Sequence, residues 1–438
     1  MLFLEKSLKL QIVRIFAGVV FFLIIMGLVR ADASQKTFRG EIGLQQDYDS
    51  NADRVPTDEQ YESTSRVTPR FTFGRLTQTS NFSLTYAPSF VYSYRNEEER
   101  TDHFASVGYG RRLSQRVSVD FDNTYRMTDD PYTYTEFTEI GEGDFELSDR
   151  RGRRRYWSNS FSGSTRLDYA RDSFMNLGYR NHVLRNRDDN FEDDYTRHTP
   201  FAGLTHRFNH QWQTQLSYTY TIGNFDNRED LRTHDGSGRL FYSFSPFTRV
   251  FVLGGYMQTD YDDSILDYAV YTTAAGFDRE LSAVRSVSFE TGVSFIQRDN
   301  FADTDALYLK VSLDNAIQRG SWSVYGESGV DQRLYTGADD SFLSRYRLAG
   351  ARVNYALGRN LTGTTSLEYR RDENIDTPVS DRETRIRANA GLAYTFARWY
   401  RLSAGYSYVD LDADQPARSY DNHRLYISLT AGKELLRW

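Results

Sequence analysis

The chain reads as all-β: a closed, antiparallel, up-and-down barrel of about twenty strands that crosses a membrane, with roughly 18 or 22 strands as the alternatives. Three observations predict it. Residues 211–222, QWQTQLSYTYTI, place Trp212, Leu216, Tyr218, Tyr220 and Ile222 at every second position or nearly so, separated by Gln, Ser and Thr. A strand sends alternate side chains to opposite faces, so one face is apolar and the other polar. The composition is odd for a packed core: 438 residues are only 39% hydrophobic and 26% charged, yet 15% are aromatic, with 32 Tyr and 29 Phe. Finally, the connections alternate between short turns and long acidic loops, which segregates the two rims of a barrel.

The N-terminus is a separate element. Lys6, Lys9 and Arg14 precede an unbroken apolar run over residues 15–29, and "RADAS" then puts Ala31 and Ala33 at the small-residue positions of a signal-peptidase site. The run is short for a spanning helix. A retained membrane anchor is the alternative to cleavage after Ala33. Cleavage predicts a mature domain over residues 34–438, and with no Cys in the chain neither a lipid-modified start nor a disulfide framework is possible.

The alternation then predicts strands near residues 37–47, 61–75, 80–94, 102–113, 116–127, 155–169, 173–185, 196–208, 211–224, 234–245, 248–258, 266–281, 284–298, 306–318, 321–335, 343–357, 360–371, 384–397, 400–410 and 423–435. Tilted strands that cross a bilayer need about 9–11 residues plus their ends, whereas soluble strands are usually shorter. The short connections include "TQTS", "SQ", "RDS", "NHQ", "SPF" and "RGS"; the long ones include "DYDSNADRVPTDEQ", "RNEEERTD", "RNRDDNFEDD" and "RDENIDTPVSD". A large soluble β-sandwich is the alternative, and it gives no reason for loop length and charge to follow parity.

On this reading the apolar rows face lipid. Phe82, Leu84, Tyr86 and Phe90 form one such row, Val287, Phe289, Val293 and Phe295 another, and Leu307, Leu309, Val311 and Leu313 a third. Every backbone polar group inside a bilayer must be paired, so the sheet must close. Trp212, Trp322, Trp399 and Trp438 fall beside short turns, and Tyr92, Tyr94, Tyr220 and Tyr408 fall towards long loops, as two interfacial girdles.

From about Phe38 to Trp438 the chain therefore resembles the single-chain outer-membrane β-barrel proteins of Gram-negative bacteria. The early "DYDSN" turn after the first strand also resembles the porin-2 type barrels associated with exopolysaccharide clusters. The resemblance implies an outer-membrane channel that passes small hydrophilic solutes or a polysaccharide, surrounded by outer-membrane lipid and lipopolysaccharide, with polysaccharide or export machinery as candidate partners. One departure stands out: Leu425, Ile427, Leu429 and Ala431 are out of phase with Leu436 and Trp438.

The inward rows carry whatever chemistry there is. They hold Arg66, Arg70, Asp120, Asp122, Arg126, Arg166, Asp168, Arg180, Glu290, Lys310, Asp314, Glu327, Asp331, Arg352, Glu368, Arg370, Arg385 and Arg387. Two readings are open: a wall knitted by cross-strand ion pairs, or a sugar or anion path, because guanidinium groups bind carboxylates and sulfates bidentately and stack on Tyr. The long connection over residues 129–155 is a candidate constriction. It divides into an acidic half with Asp129, Asp130, Glu136, Glu139, Glu142, Asp144 and Glu146 and a basic half with Arg150, Arg151, Arg153, Arg154 and Arg155. An extracellular loop whose halves pair with each other is the alternative.

Other classes find little support. A net charge of −7 argues against nucleic acid. There is no G-x-S-x-G and no H-E-x-x-H, so neither an enzyme nor a metal or other cofactor is expected. Two alternating acidic runs, Asp47, Asp49, Asn51 and Asp53 near the first loop and Asp410, Asp412 and Asp414 near the last, could ligate a divalent cation, but Ala52 replaces the turn glycine of a calcium loop. The expectation is a solvated acidic rim. A structural or adhesive barrel and an outer-membrane enzyme remain as alternatives to a channel.

Overall fold

The computed structural model describes residues 34–130, 155–187, 194–227, 229–262, 267–299, 302–332, 343–375 and 381–438. The segment expected to be cleaved, with Ala31 and Ala33, and the segment with Glu136, Glu139, Glu142, Asp144, Glu146, Arg150, Arg151, Arg153 and Arg154, lie outside the described residues.

Twenty antiparallel strands follow one another around a single sheet. They are β1 (Gln35–Asp49), β2 (Glu62–Leu76), β3 (Ser80–Ser93), β4 (Glu98–Arg112), β5 (Val117–Thr128), β6 (Tyr156–Ala170), β7 (Ser173–Asn186), β8 (Tyr195–Arg207), β9 (Trp212–Phe225) and β10 (Leu231–Ser245), then β11 (Thr248–Tyr261), β12 (Tyr268–Ser282), β13 (Arg285–Arg298), β14 (Thr304–Ile317), β15 (Gly320–Gln332), β16 (Leu343–Ala356), β17 (Leu361–Asn374), β18 (Arg382–Phe396), β19 (Tyr400–Ala413) and β20 (Tyr420–Arg437). Each strand pairs with its chain neighbours, and β1 pairs with β20, so the sheet closes without an edge. The fold is the closed up-and-down barrel that the alternation predicts.

The ladder registers fix the two faces. Leu309 on β14 is opposed by Thr291 on β13 and Ser328 on β15, and the parity propagates unbroken around the sheet. The face carrying Ile42, Leu44, Val67, Phe121, Leu216, Val252, Leu307, Leu367 and Leu392 presents these side chains to the surroundings. The opposite face is the inside. Arg239 on β10 reaches Glu290 on β13 at 3.0 Å, a contact between strands that are three positions apart, which only inward side chains can make.

Two mid-strand prolines interrupt the β2–β3 ladder. Pairing stops between Val67–Phe90 and Phe71–Tyr86, where Pro69 and Pro88 lack an N–H to donate. Thr68 and Ser89 bridge the gap through their hydroxyls at 2.8 Å. Pro200 makes a similar gap in the β8–β9 ladder, with Thr199 and Thr221 facing each other at 3.4 Å.

The phase break at the C-terminus has a local cause. Arg39 opposes Glu434, but Phe38 opposes Leu436, so Leu435 is the extra residue of a bulge. The extra residue returns Leu436 to the lipid-facing row. Gly40 makes room for it: a Cβ there would lie 2.8 Å from Leu435 Cδ1. Lys433, also on the outer face, places its ammonium 5.1 Å from the ring centre of Trp399 in the lower girdle.

Candidate functional site: the lumen

Each of the charged residues assigned to the inward rows sits there: Arg66 and Arg70 on β2; Asp120, Asp122 and Arg126 on β5; Arg166 and Asp168 on β6; Arg180 on β7; Glu290 on β13; Lys310 and Asp314 on β14; Glu327 and Asp331 on β15; Arg352 on β16; Glu368 and Arg370 on β17; Arg385 and Arg387 on β18. Many are locked into local pairs. Arg166 meets Asp168 at 2.9 Å, Arg370 meets Asp331 at 2.7 Å and Asp372 at 2.8 Å, and Glu290, Lys310 and Glu327 form a cross-strand row of alternating charge. Arginines also lie over rings: Arg166 over Phe174 at 3.6 Å, Arg180 over Phe201 at 4.5 Å and Arg370 over Tyr346 at 4.9 Å. Half-exposed pairs such as Arg166–Asp168 stabilise by only about 0–1 kcal/mol each, so their effect is to hold guanidinium planes flat against the wall.

A denser knot crosses the upper lumen. Asp130, just beyond β5, accepts from Arg424 Nη2 on β20 at 2.7 Å and from Arg66 Nη2 on β2 at 3.4 Å. Arg424 also faces Asp47 on β1 at 3.6 Å, Arg66 faces Asp102 on β4 at 4.0 Å, and Arg100 faces Asp129 at 2.7 Å. Asp47, Asp102, Asp130 and Arg424 are all buried. Sequence reasoning missed Asp102, Arg239 and Arg424, whereas Asp130 belongs to the first part of the connection over residues 129–155 that it offered as a constriction. Strand parity alone would have found all three, while nothing local announces which cation Asp130 meets.

The solvated acidic rim is corrected here. Asp47 and Asp49 occupy the inward row of β1 and are buried, whereas Asp410 and Asp412 are on the outward row of β19. The two runs therefore point to opposite sides of the wall. Asn51 is spent on the turn: its side chain donates to the Val55 and Asp421 carbonyls at 2.8 and 3.1 Å and accepts from the Val55 N–H.

A cavity lies along one side of the lumen. From β16 through the β20–β1 seam to β5, the wall encloses a cavity of about 370 Å³ bordered by small or hydroxylated inward residues, among them Gly43, Thr68, Ala87, Ser89, Thr364, Gly391, Ser403 and Ser428. Arg66, Arg70, Arg126 and Arg401 face it, against Glu41 and Asp102. On the remaining strands, Phe174, Phe201, Phe241, Phe251, Tyr308 and Tyr325 are inward by register, set among small inward residues such as Ser162, Ser237, Gly255 and Ser294. At their long-loop end, Tyr156, Leu184, Tyr195, Phe225 and Leu231 form one buried apolar cluster and Tyr268, Val270, Ile296, Ala306 and Leu343 another, with Tyr261 packed against both.

A closed sheet with a lipid-facing apolar exterior and a charged interior defines a transmembrane barrel of outer-membrane type. The chain belongs to the family described as "Putative beta-barrel porin 2", whose family model matches residues 158–433, from β6 into β20. The matched region leaves the "DYDSN" turn outside it. Among solved structures, a mutant of the ferric enterobactin receptor PfeA from Pseudomonas aeruginosa in complex with enterobactin aligns with a TM-score of 0.53 at 10% identity, over 92% of this chain and 82% of that chain. The siderophore receptor PirA from Acinetobacter baumannii aligns at 0.52 and 8% identity, over 91% and 80%. At such identities the likeness is one of fold. No curated protein sequence matches the chain.

Proposed function

We propose that the protein is an outer-membrane channel whose hydrophilic path runs along the β16–β5 half of the lumen. The observation that supports this most is the cavity on that side of the wall. Twenty strands spaced ~4.7 Å apart and tilted by about 40° give a wall radius near ~19 Å, too wide for side chains to fill evenly. Along the β16–β5 half, small inward residues such as Gly43, Thr68, Ala87, Thr364 and Ser403 border an open cavity, with Phe104 and Tyr426 the large rings beside it. Four arginines against two carboxylates on that cavity favour anions, and guanidinium groups beside hydroxyls suit acidic sugars as well as small anions. A polysaccharide is the larger cargo of the same chemistry, and export machinery the corresponding partner. The reading gives no residue a catalytic role.

Planar-bilayer recording tests it. Purified barrel should give discrete conductance steps and, under a salt gradient, a reversal potential on the anion-selective side. A barrel that inserts, as judged by heat-dependent gel mobility, yet never conducts would overturn the channel. That outcome would favour a structural or adhesive barrel, for which the buried apolar clusters at the long-loop end are the specific support.

A further inference from the structure

Four of the chain's 7 histidines stand on the lipid-facing rows near the long-loop end: His103, His198, His234 and His423. Each is joined through Nδ1 to a tyrosine hydroxyl on the preceding strand: Tyr86 at 3.1 Å, Tyr179 at 2.6 Å, Tyr218 at 2.8 Å and Tyr406 at 2.8 Å. The geometry repeats. The residues directly opposite these tyrosines are Ala105, Pro200, Gly236 and Leu425, and the histidine lies two positions further up in every case. Each ring spans the diagonal of the ladder, within reach of an aromatic side chain. A tyrosine hydroxyl that donates to Nδ1 leaves the ring proton on Nε2, pointing away from the pair.

What stands above the histidine separates three pairs from the fourth. Arg155 reaches the carbonyl of Thr101, two residues above His103, at 2.7 Å. Arg185 reaches the hydroxyl of Thr196, two residues above His198, at 3.0 Å. Arg232 lies two residues above His234 on the same row and is exposed. Above His423 there is instead an acid, with Asp421 Oδ2 3.6 Å from Nε2.

We propose that the Tyr86–His103, Tyr179–His198 and Tyr218–His234 pairs, each with its arginine above, are phosphate-binding positions for the headgroups of outer-leaflet lipopolysaccharide. The proposal rests on the outer-membrane reading, with the long loops outside. A phosphomonoester at the bilayer boundary needs fixed donors and a cation, and an Nε2–H beneath a guanidinium supplies both where screening by water is weak. The tyrosine provides the positioning, since it holds the imidazole in one tautomer and one orientation. His423 serves as an internal control because Asp421 repels a phosphate there.

The test uses the full barrel in phosphatidylcholine nanodiscs, incubated with purified lipopolysaccharide or the same material enzymatically dephosphorylated, and measures lipid retained after gel filtration. Wild type should retain the phosphorylated form and little of the other. The His103→Phe/His198→Phe/His234→Phe variant, which keeps an aromatic ring in the girdle, should lose at least tenfold in affinity, and His423→Phe should bind like wild type. The Tyr86→Phe/Tyr179→Phe/Tyr218→Phe variant provides a second reading that keeps every histidine and should also bind more weakly. Equal retention of both lipids by wild type, undiminished binding by both triple variants, or an equal loss in His423→Phe overturns the proposal. Conductance recorded on the same samples keeps it separate from the channel: loss of lipid binding with conductance intact touches only the girdle.

Discussion

Asp130 Oδ2 lies 2.7 Å from Arg424 Nη2, although five strand-to-strand steps separate β5 from β20 around the wall. Such a contact is a chord across the upper lumen, and it ties the chain leaving β5 to the seam where the barrel closes. Arg424 is held at the same time by Asp47 on β1, so one guanidinium joins three strands that are remote in sequence.

The first prediction concerns this knot. Asp130→Asn removes the charge but keeps the shape, and leaves buried guanidinium groups with weaker acceptors. It should lower barrel stability by about 2–3 kcal/mol, less than a dry buried pair loses because Asp47 and Asp102 remain close. Urea unfolding from vesicles measures it. In a double-mutant cycle with Arg424→Gln, the loss in the double variant should fall short of the sum of the two single losses by more than ~1 kcal/mol; strict additivity would mean the pair does not couple.

A second prediction tests the assignment of faces. Leu309 is on the lipid row of β14, midway along the strand, and Lys310 is on the lumen row. Leu309→Arg should cost about 2–4 kcal/mol, as a cation at bilayer mid-depth does. Lys310→Ser should cost far less, because water already reaches that side. Equal costs in the same vesicle-folding assay would mean that the faces are reversed.

The third concerns the bulge. Removing Leu435 leaves Glu434 opposite Arg39 and Leu436 opposite Phe38, so the strand becomes regular and every apolar residue keeps its face. Deletion of Leu435 should therefore preserve folding yield. Deletion of Leu429, in the regular part of the same strand, flips residues 430–434 to the wrong side before the bulge can restore the phase, and should lower folding yield. Heat-dependent gel mobility distinguishes the two.

These examples show what could be read without coordinates. The strand count, closure and both faces were legible because a membrane wall imposes strict alternation on every strand, and Leu307 through Leu313 repeat that signal without exception. The single-residue bulge was not, since a periodic pattern registers an insertion only as a loss of phase. The burial of Asp47 and Asp49 was hidden because an alternating acidic run looks the same at either rim. Asp130 was legible as the start of a connection that could fold inward, but its partner was not: Arg424 is 294 residues away, and no local pattern encodes a chord.

The last prediction concerns selectivity. Arg70 and Arg401 face the cavity from β2 and β19, and Glu41 lies beside Arg70, the two being direct cross-strand partners 3.8 Å apart. Arg70→Gln/Arg401→Gln removes two positive charges without creating a like-charged pair, so anion-over-cation permeability should fall several-fold. Glu41→Gln should raise it. Lys310 provides the distance control. It sits on β14, eight strand-to-strand steps from β2, and a wall radius of ~19 Å places it far beyond the ~8 Å over which charge is felt at physiological salt. Lys310→Gln should therefore shift the reversal potential less than either change on the cavity wall. A larger effect from Lys310 would move the ion path to the opposite side of the lumen, along β14.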